Sequence, residues 1–173
     1  MAKYGIAAKP LIDKLSNAVK KDDCKEVWYA DDISAAGKIL EMKKWWDILC
    51  QTGPQYGYKP LARKTILIVK PEHRQKAEEV FHQSGVKITT EGERHMGAVI
   101  GSQEFKNIYV TNKVNKWIED VEELSLIAKE EPQAVYSCFT KAICHRWTYV
   151  QRTIPDVDHI FRPLEAAINL RIN

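Results

Sequence analysis

Seven apolar residues, Val110, Val114, Trp117, Ile118, Val121, Leu124 and Ile127, follow the spacing of one helix face, and Glu119, Asp120, Glu122 and Glu123 fill the other. A helix cannot bury such a stripe by itself, so the chain must supply further helices to cover it. Pro132 opens a second helical segment carrying Val135, Phe139, Ala142, Ile143, Trp147 and Val150. Pro155 and Pro163 punctuate a third region, which ends in Leu164, Ala167, Ile168 and Leu170. Three amphipathic helices in succession predict a small bundle over residues 102–173.

The first hundred residues follow a different pattern. Ile6, Leu11, Ile12, Leu15 and Val19 recur at helical spacing across residues 4–20, with Pro10 as a local distortion. A polar turn, Lys20-Lys21-Asp22-Asp23, leads into Glu26 to Tyr29, which is rich in strand formers. Ile33 to Ala36 can return as the second arm of a hairpin with Ala30-Asp31-Asp32 at its tip. Residues 37–51 carry Ile39, Leu40, Met42, Trp45, Trp46, Ile48 and Leu49 at helical spacing, and Gly53-Pro54 stops them. Thr65 to Val69 is a continuous apolar run bounded by Lys64 and Lys70-Pro71, which predicts a central strand covered on both faces. A short helix over residues 72–83 comes next. Val86 to Thr90 and His95 to Ile100 flank Glu91-Gly92-Glu93, so a second hairpin is expected with Gly92 in its turn. The fold class is therefore expected to be α+β, with an α+β part over residues 1–101 followed by the helical part.

With 173 residues, 45% hydrophobic and 28% charged, the chain can build cores without covalent staples. No run approaches the roughly 20 apolar residues that cross a bilayer, and Lys3, Lys9, Asp13 and Lys14 interrupt the place of a signal core. A soluble chain with no membrane partner is expected, intracellular and cytoplasmic or nuclear. Cys24, Cys50, Cys138 and Cys144 form no CxxC pair and read as reduced, mostly core-filling thiols. Cys138, Cys144 and His145 match no common zinc spacing and read as helix packing positions. The net charge is +3, yet residues 37–76 hold nine basic side chains against three acidic ones. That excess suits a phosphate-facing surface, although a charge run is also an ordinary solvated face.

Asp31 and Asp32 place two like charges directly after the apolar and aromatic run Val27-Trp28-Tyr29-Ala30. A hairpin tip holds side chains in position while leaving them in solvent. Mg²⁺ accepts carboxylate oxygens and keeps its other positions for water and substrate phosphate, and its charge would neutralise the pair. Aspartate is also a common turn former, so an Asp-Asp tip has a purely structural reading as well.

In this setting the sequence resembles reverse transcriptases, the RNA-directed DNA polymerases of retrotransposon-type mobile elements. Tyr29-Ala30-Asp31-Asp32 is similar to the family's palm motif C, Arg63-Lys64-Thr65 resembles motif D, and His95-Met96-Gly97-Ala98-Val99-Ile100-Gly101 resembles the primer-grip hairpin, motif E. The resemblance covers residues 1–101 by motif and the helical remainder, as a thumb, by order of elements alone. It implies that Asp31 and Asp32 serve as catalytic and metal-binding carboxylates for Mg²⁺ or Mn²⁺, and that Lys64 handles the incoming deoxynucleotide. It further implies that Tyr29, Met96 and Gly97 contact a primer-template nucleic acid. In intact form such an enzyme transfers nucleotides to a primer end by two-metal catalysis, which needs a second aspartate from an upstream strand. Only 28 residues precede Tyr29, and Asp13, Asp22, Asp23 and Glu26 are the acids among them. Met1 is thus expected to be an internal methionine of a longer ancestor, with fingers and the motif A aspartate absent and this chain alone inactive. Two other readings are a nucleic-acid-binding module, with Trp45, Trp46, Tyr56 and Tyr58 as candidate stacking partners, and a helical interaction protein. At least one of the two tryptophans is better explained as core.

Overall fold

The computed structural model describes residues 2–20, 22–29 and 32–171. The chain has an α+β fold and divides into two compact units, residues 1–89 and residues 90–173.

The first unit opens with helix α1, Ala2–Ala18, which contains Pro10. Leu11, Leu15 and the following Val19 are buried at the i, i+4, i+8 spacing of one helical face. Strands β1, Cys24–Tyr29, and β2, Asp32–Gly37, pair antiparallel in a continuous register, as expected from the strand formers of residues 26–29 and the return over residues 33–36. Helix α2, Ile39–Thr52, buries Trp45, Trp46 and Leu49. These residues join Leu11, Leu15, Val19, Cys24 and Phe81 in one apolar core.

Strand β3, Ile66–Ile68, helix α3, Arg74–Phe81, and strand β4, Lys87–Thr89, form a short β-α-β unit in which β3 and β4 run parallel. The expectation that residues 65–69 make a central strand covered on both faces is corrected here. Ile66, Leu67 and Ile68 are each half-buried, because among the described residues β4 alone pairs with β3, and Leu67 is the strand residue that reaches the core.

The second unit begins with a hairpin of β5, Gly92–His95, and β6, Ala98–Gly101. The hairpin expected around Glu91-Gly92-Glu93 is therefore also corrected. Residues 87–89 pair with β3 instead, and the reversal falls on Met96 and Gly97, at φ 50° and 82°. Positive φ at both central residues is the requirement of a two-residue type I′ turn. Gly92 instead lies opposite Gly101 at the base, where a Cβ on Gly101 would stand 2.4 Å from the Gly92 Cα. Ser102 caps helix α4, Gln103–Ile127, its side-chain oxygen accepting from the Phe105 N–H at 3.1 Å. Helix α5, Pro132–Cys138, continues through a π turn, Phe139–Ile143, into α6, Cys144–Thr153. A 3₁₀ turn, Asp158–Phe161, leads to α7, Arg162–Arg171.

Four of the seven stripe residues of α4 are buried, Ile118 and Leu124 are partly buried beside them, and Ile127 at the helix end is exposed. Val110, Val114, Trp117 and Val121 pack with Ile143, Trp147, Val150, Phe161 and Leu164. Trp117 stacks on Phe161 at 6.1 Å between ring centroids and meets Trp147 edge-on at 6.2 Å. Ala98 and Val99 of β6 complete this core, so the hairpin belongs with the helices and the units divide after Thr89 rather than near residue 102.

Candidate functional site

The β1–β2 hairpin shows how its tip is held. Period-two alternation turns Cys24, Glu26 and Trp28 toward the core and leaves Lys25, Val27 and Tyr29 exposed. Glu26 ties three elements together: its carboxylate accepts from the Ser16 hydroxyl of α1 and from the Trp45 indole N–H of α2, each at 2.6 Å. Trp28 meets Tyr58 edge-on at 5.9 Å between ring centroids. At the hairpin's base the Lys38 N–H donates to the Asp23 carbonyl at 2.8 Å, and the side chains of the same residues form an ion pair at 2.7 Å.

The register sets Tyr29 opposite Asp32, so both are brought together at the closed end of the hairpin. Asp32 is exposed, and Tyr29 is 56% exposed on the outward face. Asp31 lies outside the described residues.

Mg²⁺ would need further oxygen ligands beside Asp32. Of the described acids, Glu26 is engaged by Ser16 and Trp45 within β1, and Asp23 by Lys38 at the base of the hairpin. Asp13 pairs with Lys9 on α1. Among the described residues, no group of three or more His, Cys, Asp or Glu side chains gathers to hold a metal ion. The described residues thus offer Asp32 as one exposed carboxylate at the end of the hairpin.

Lys64 closes a 3₁₀ turn, Ala62–Lys64, and is exposed immediately before the start of β3. Met96 and Gly97 form the turn of the β5–β6 hairpin, in the second unit. Two helices clasp that turn: the Tyr149 hydroxyl of α6 donates to the Met96 carbonyl, and the Tyr109 hydroxyl of α4 donates to the Gly97 carbonyl at 3.1 Å. Arg94 and Lys113 approach the Tyr109 ring, at 6.0 and 5.7 Å from its centroid. Tyr109, Tyr149, Arg94 and Lys113 were not singled out from the sequence, because they come from three elements whose contact no local spacing records.

The basic segment is largely on the surface. Lys44, Lys59, Arg63, Lys64, Lys70 and Lys76 are exposed, while Lys43 pairs with Asp47 and Arg74 with Glu78. Its tryptophans are not available for stacking: Trp45 and Trp46 are both core residues, each 6% exposed. Tyr56 is exposed, and Tyr58 is half-buried against Trp28. The expectation of mostly core-filling thiols holds for Cys24, which is buried, and in part for Cys144, whereas Cys50 and Cys138 are exposed. Burial, followed by the charges of Glu26 and Glu41, pushes the Cys24 thiol above its ordinary range, so it stays protonated at neutral pH.

Comparison with protein-family models, with curated proteins and with solved structures finds no match for this chain. No helix among the described residues is long and apolar enough to cross a membrane.

Proposed function

We propose that this chain is the motif C-to-thumb portion of an RNA-directed DNA polymerase, a reverse transcriptase, and that residues 1–173 alone do not polymerise DNA. The observation that carries this reading is the hairpin register, in which Tyr29 at the end of β1 opposes Asp32 at the start of β2. The order of the other parts is consistent with it: an exposed Lys64 ahead of β3, a tight Met96-Gly97 hairpin turn, then helices. In the intact enzyme Asp31 and Asp32 would hold Mg²⁺ or Mn²⁺ against the phosphates of the incoming deoxynucleotide.

The test is primer extension on an RNA template by the purified chain with Mg²⁺ or Mn²⁺. No template-dependent product is expected. A product that disappears in Asp31→Asn overturns the proposed inactivity and supports the polymerase assignment.

A second reading, a nucleic-acid-binding module without catalysis, is favoured by the exposed basic side chains of residues 37–76. Binding to a primer-template duplex that weakens steeply with added salt is expected on that reading, because bound cations are displaced from phosphate. Salt-independent or absent binding sinks it.

A further inference from the structure

We propose that the free edge of β1 pairs with β1 of a second copy of this chain, making an antiparallel, two-fold symmetric dimer centred on Val27. Strands β1 and β2 form a sheet of two strands, so β1 has no described strand along its other edge. The Asp23–Lys38 backbone bond shows that the odd-numbered residues of β1 direct their N–H and C=O groups to β2. Glu26 and Trp28 therefore turn theirs toward the open edge. β1 contains no proline and its pairing with β2 has no bulge, so its guards against pairing are Lys25 and the inward Glu26 alone.

Two features select the occupant and the register. Glu26 and Trp28 can exchange backbone hydrogen bonds with Trp28 and Glu26 of a second copy only when the two-fold axis passes through Val27. A shift that centres the pair on Glu26 would set two carboxylates face to face. With the axis at Val27, the outward face sets Val27 against its own copy and Lys25 against Tyr29, an apolar contact flanked by two cation–aromatic pairs. Val27 is 67% exposed and Tyr29 56% exposed, so the apolar area to be covered lies on this strand. On the inward face the same register sets Trp28 opposite Glu26. The Glu26 carboxylate already accepts from Ser16 and Trp45 of its own copy and the Trp28 indole N–H is buried, so the inward face adds no hydrogen bond across the axis. The outer face of β2, with Asp32, Ser34 and Ala36, offers no comparable apolar surface.

Sedimentation velocity over a concentration series tests the dimer, and cysteine cross-linking tests its register. A monomer–dimer equilibrium is expected for the full chain. Val27→Lys sets like charges on the axis and is expected to weaken dimerisation by roughly tenfold or more. In a background with Cys50→Ser and Cys138→Ser, Val27→Cys is expected to cross-link on mild oxidation. Its Cα atoms would lie about 4.5 Å apart, within disulfide reach. Lys25→Cys should cross-link only when mixed with Tyr29→Cys. A chain that is monomeric at every concentration reached, or one that assembles beyond the dimer, overturns the proposal. So does equal cross-linking of Lys25→Cys with itself, or cross-linking through Ser34→Cys, which reports pairing along β2. Because Val27→Cys is read as a covalent dimer, a Val27→Lys chain that failed to fold would not remove the test.

Discussion

The molecule contains two antiparallel hairpins, and they are secured in opposite ways. The β5–β6 hairpin is held at its turn, where the Tyr109 and Tyr149 hydroxyls bind the carbonyls of Gly97 and Met96. Its second strand is buried through Ala98 and Val99. The β1–β2 hairpin is held along its inner face instead, by Cys24 and by the Glu26 carboxylate with its Ser16 and Trp45 donors. Its outer face, Lys25, Val27 and Tyr29, stays in solvent. One hairpin is therefore a fixed part of a helical core. The other packs by one face alone and, among the described residues, keeps an open strand edge.

The comparison breaks most completely if the helical core is removed. Trp117→Ala should cost about 3–5 kcal/mol, because a buried indole in contact with Trp147 and Phe161 is replaced by a cavity. Denaturant unfolding followed at both units should show residues 90–173 melting early while the α1–α2 core persists. Simultaneous loss of both would show that the units are not separately stable.

Glu26→Ala should cost about 1–3 kcal/mol, because it leaves the Trp45 indole N–H without its acceptor near the core. Amide exchange in β1 and β2 should accelerate in this variant, with little change in β5 and β6. Gly97→Ala acts on the other hairpin. A side chain at φ 82° is strained by about 1–2 kcal/mol, and the lowered midpoint should be specific to the second unit. Tyr149→Phe is the mildest change. It removes one hydrogen bond at a partly exposed site and should cost about 1 kcal/mol or less, read from the same unfolding curve.

The helices were readable because their signal is repetitive. The α4 stripe places Val110, Val114, Trp117 and Val121 on one face from their spacing alone, and all four are buried. The first hairpin was readable for a similar reason, since polar turns bound it and its arms are consecutive. The candidate site was legible only in part. Tyr29 and Asp32 could be assigned to a hairpin end from their neighbours, whereas the clasp around Met96 and Gly97 needs tyrosines 12 and 53 residues away in the chain.

Helix faces, the α+β class and the position of Asp32 at the start of β2 follow from local spacing, because they depend on residues within about two turns of one another. Strand pairing does not. Residues 87–89 could have joined a hairpin with residues 95–100, but they pair in parallel with β3 across an intervening helix. Both Gly92 and Gly97 were compatible with a turn, and the reversal falls on Gly97, where β6 packs on the helical core and both hydroxyl donors meet the turn. A short strand carries too little pattern to name its partner, so competition among distant edges and the packing beneath them makes the choice.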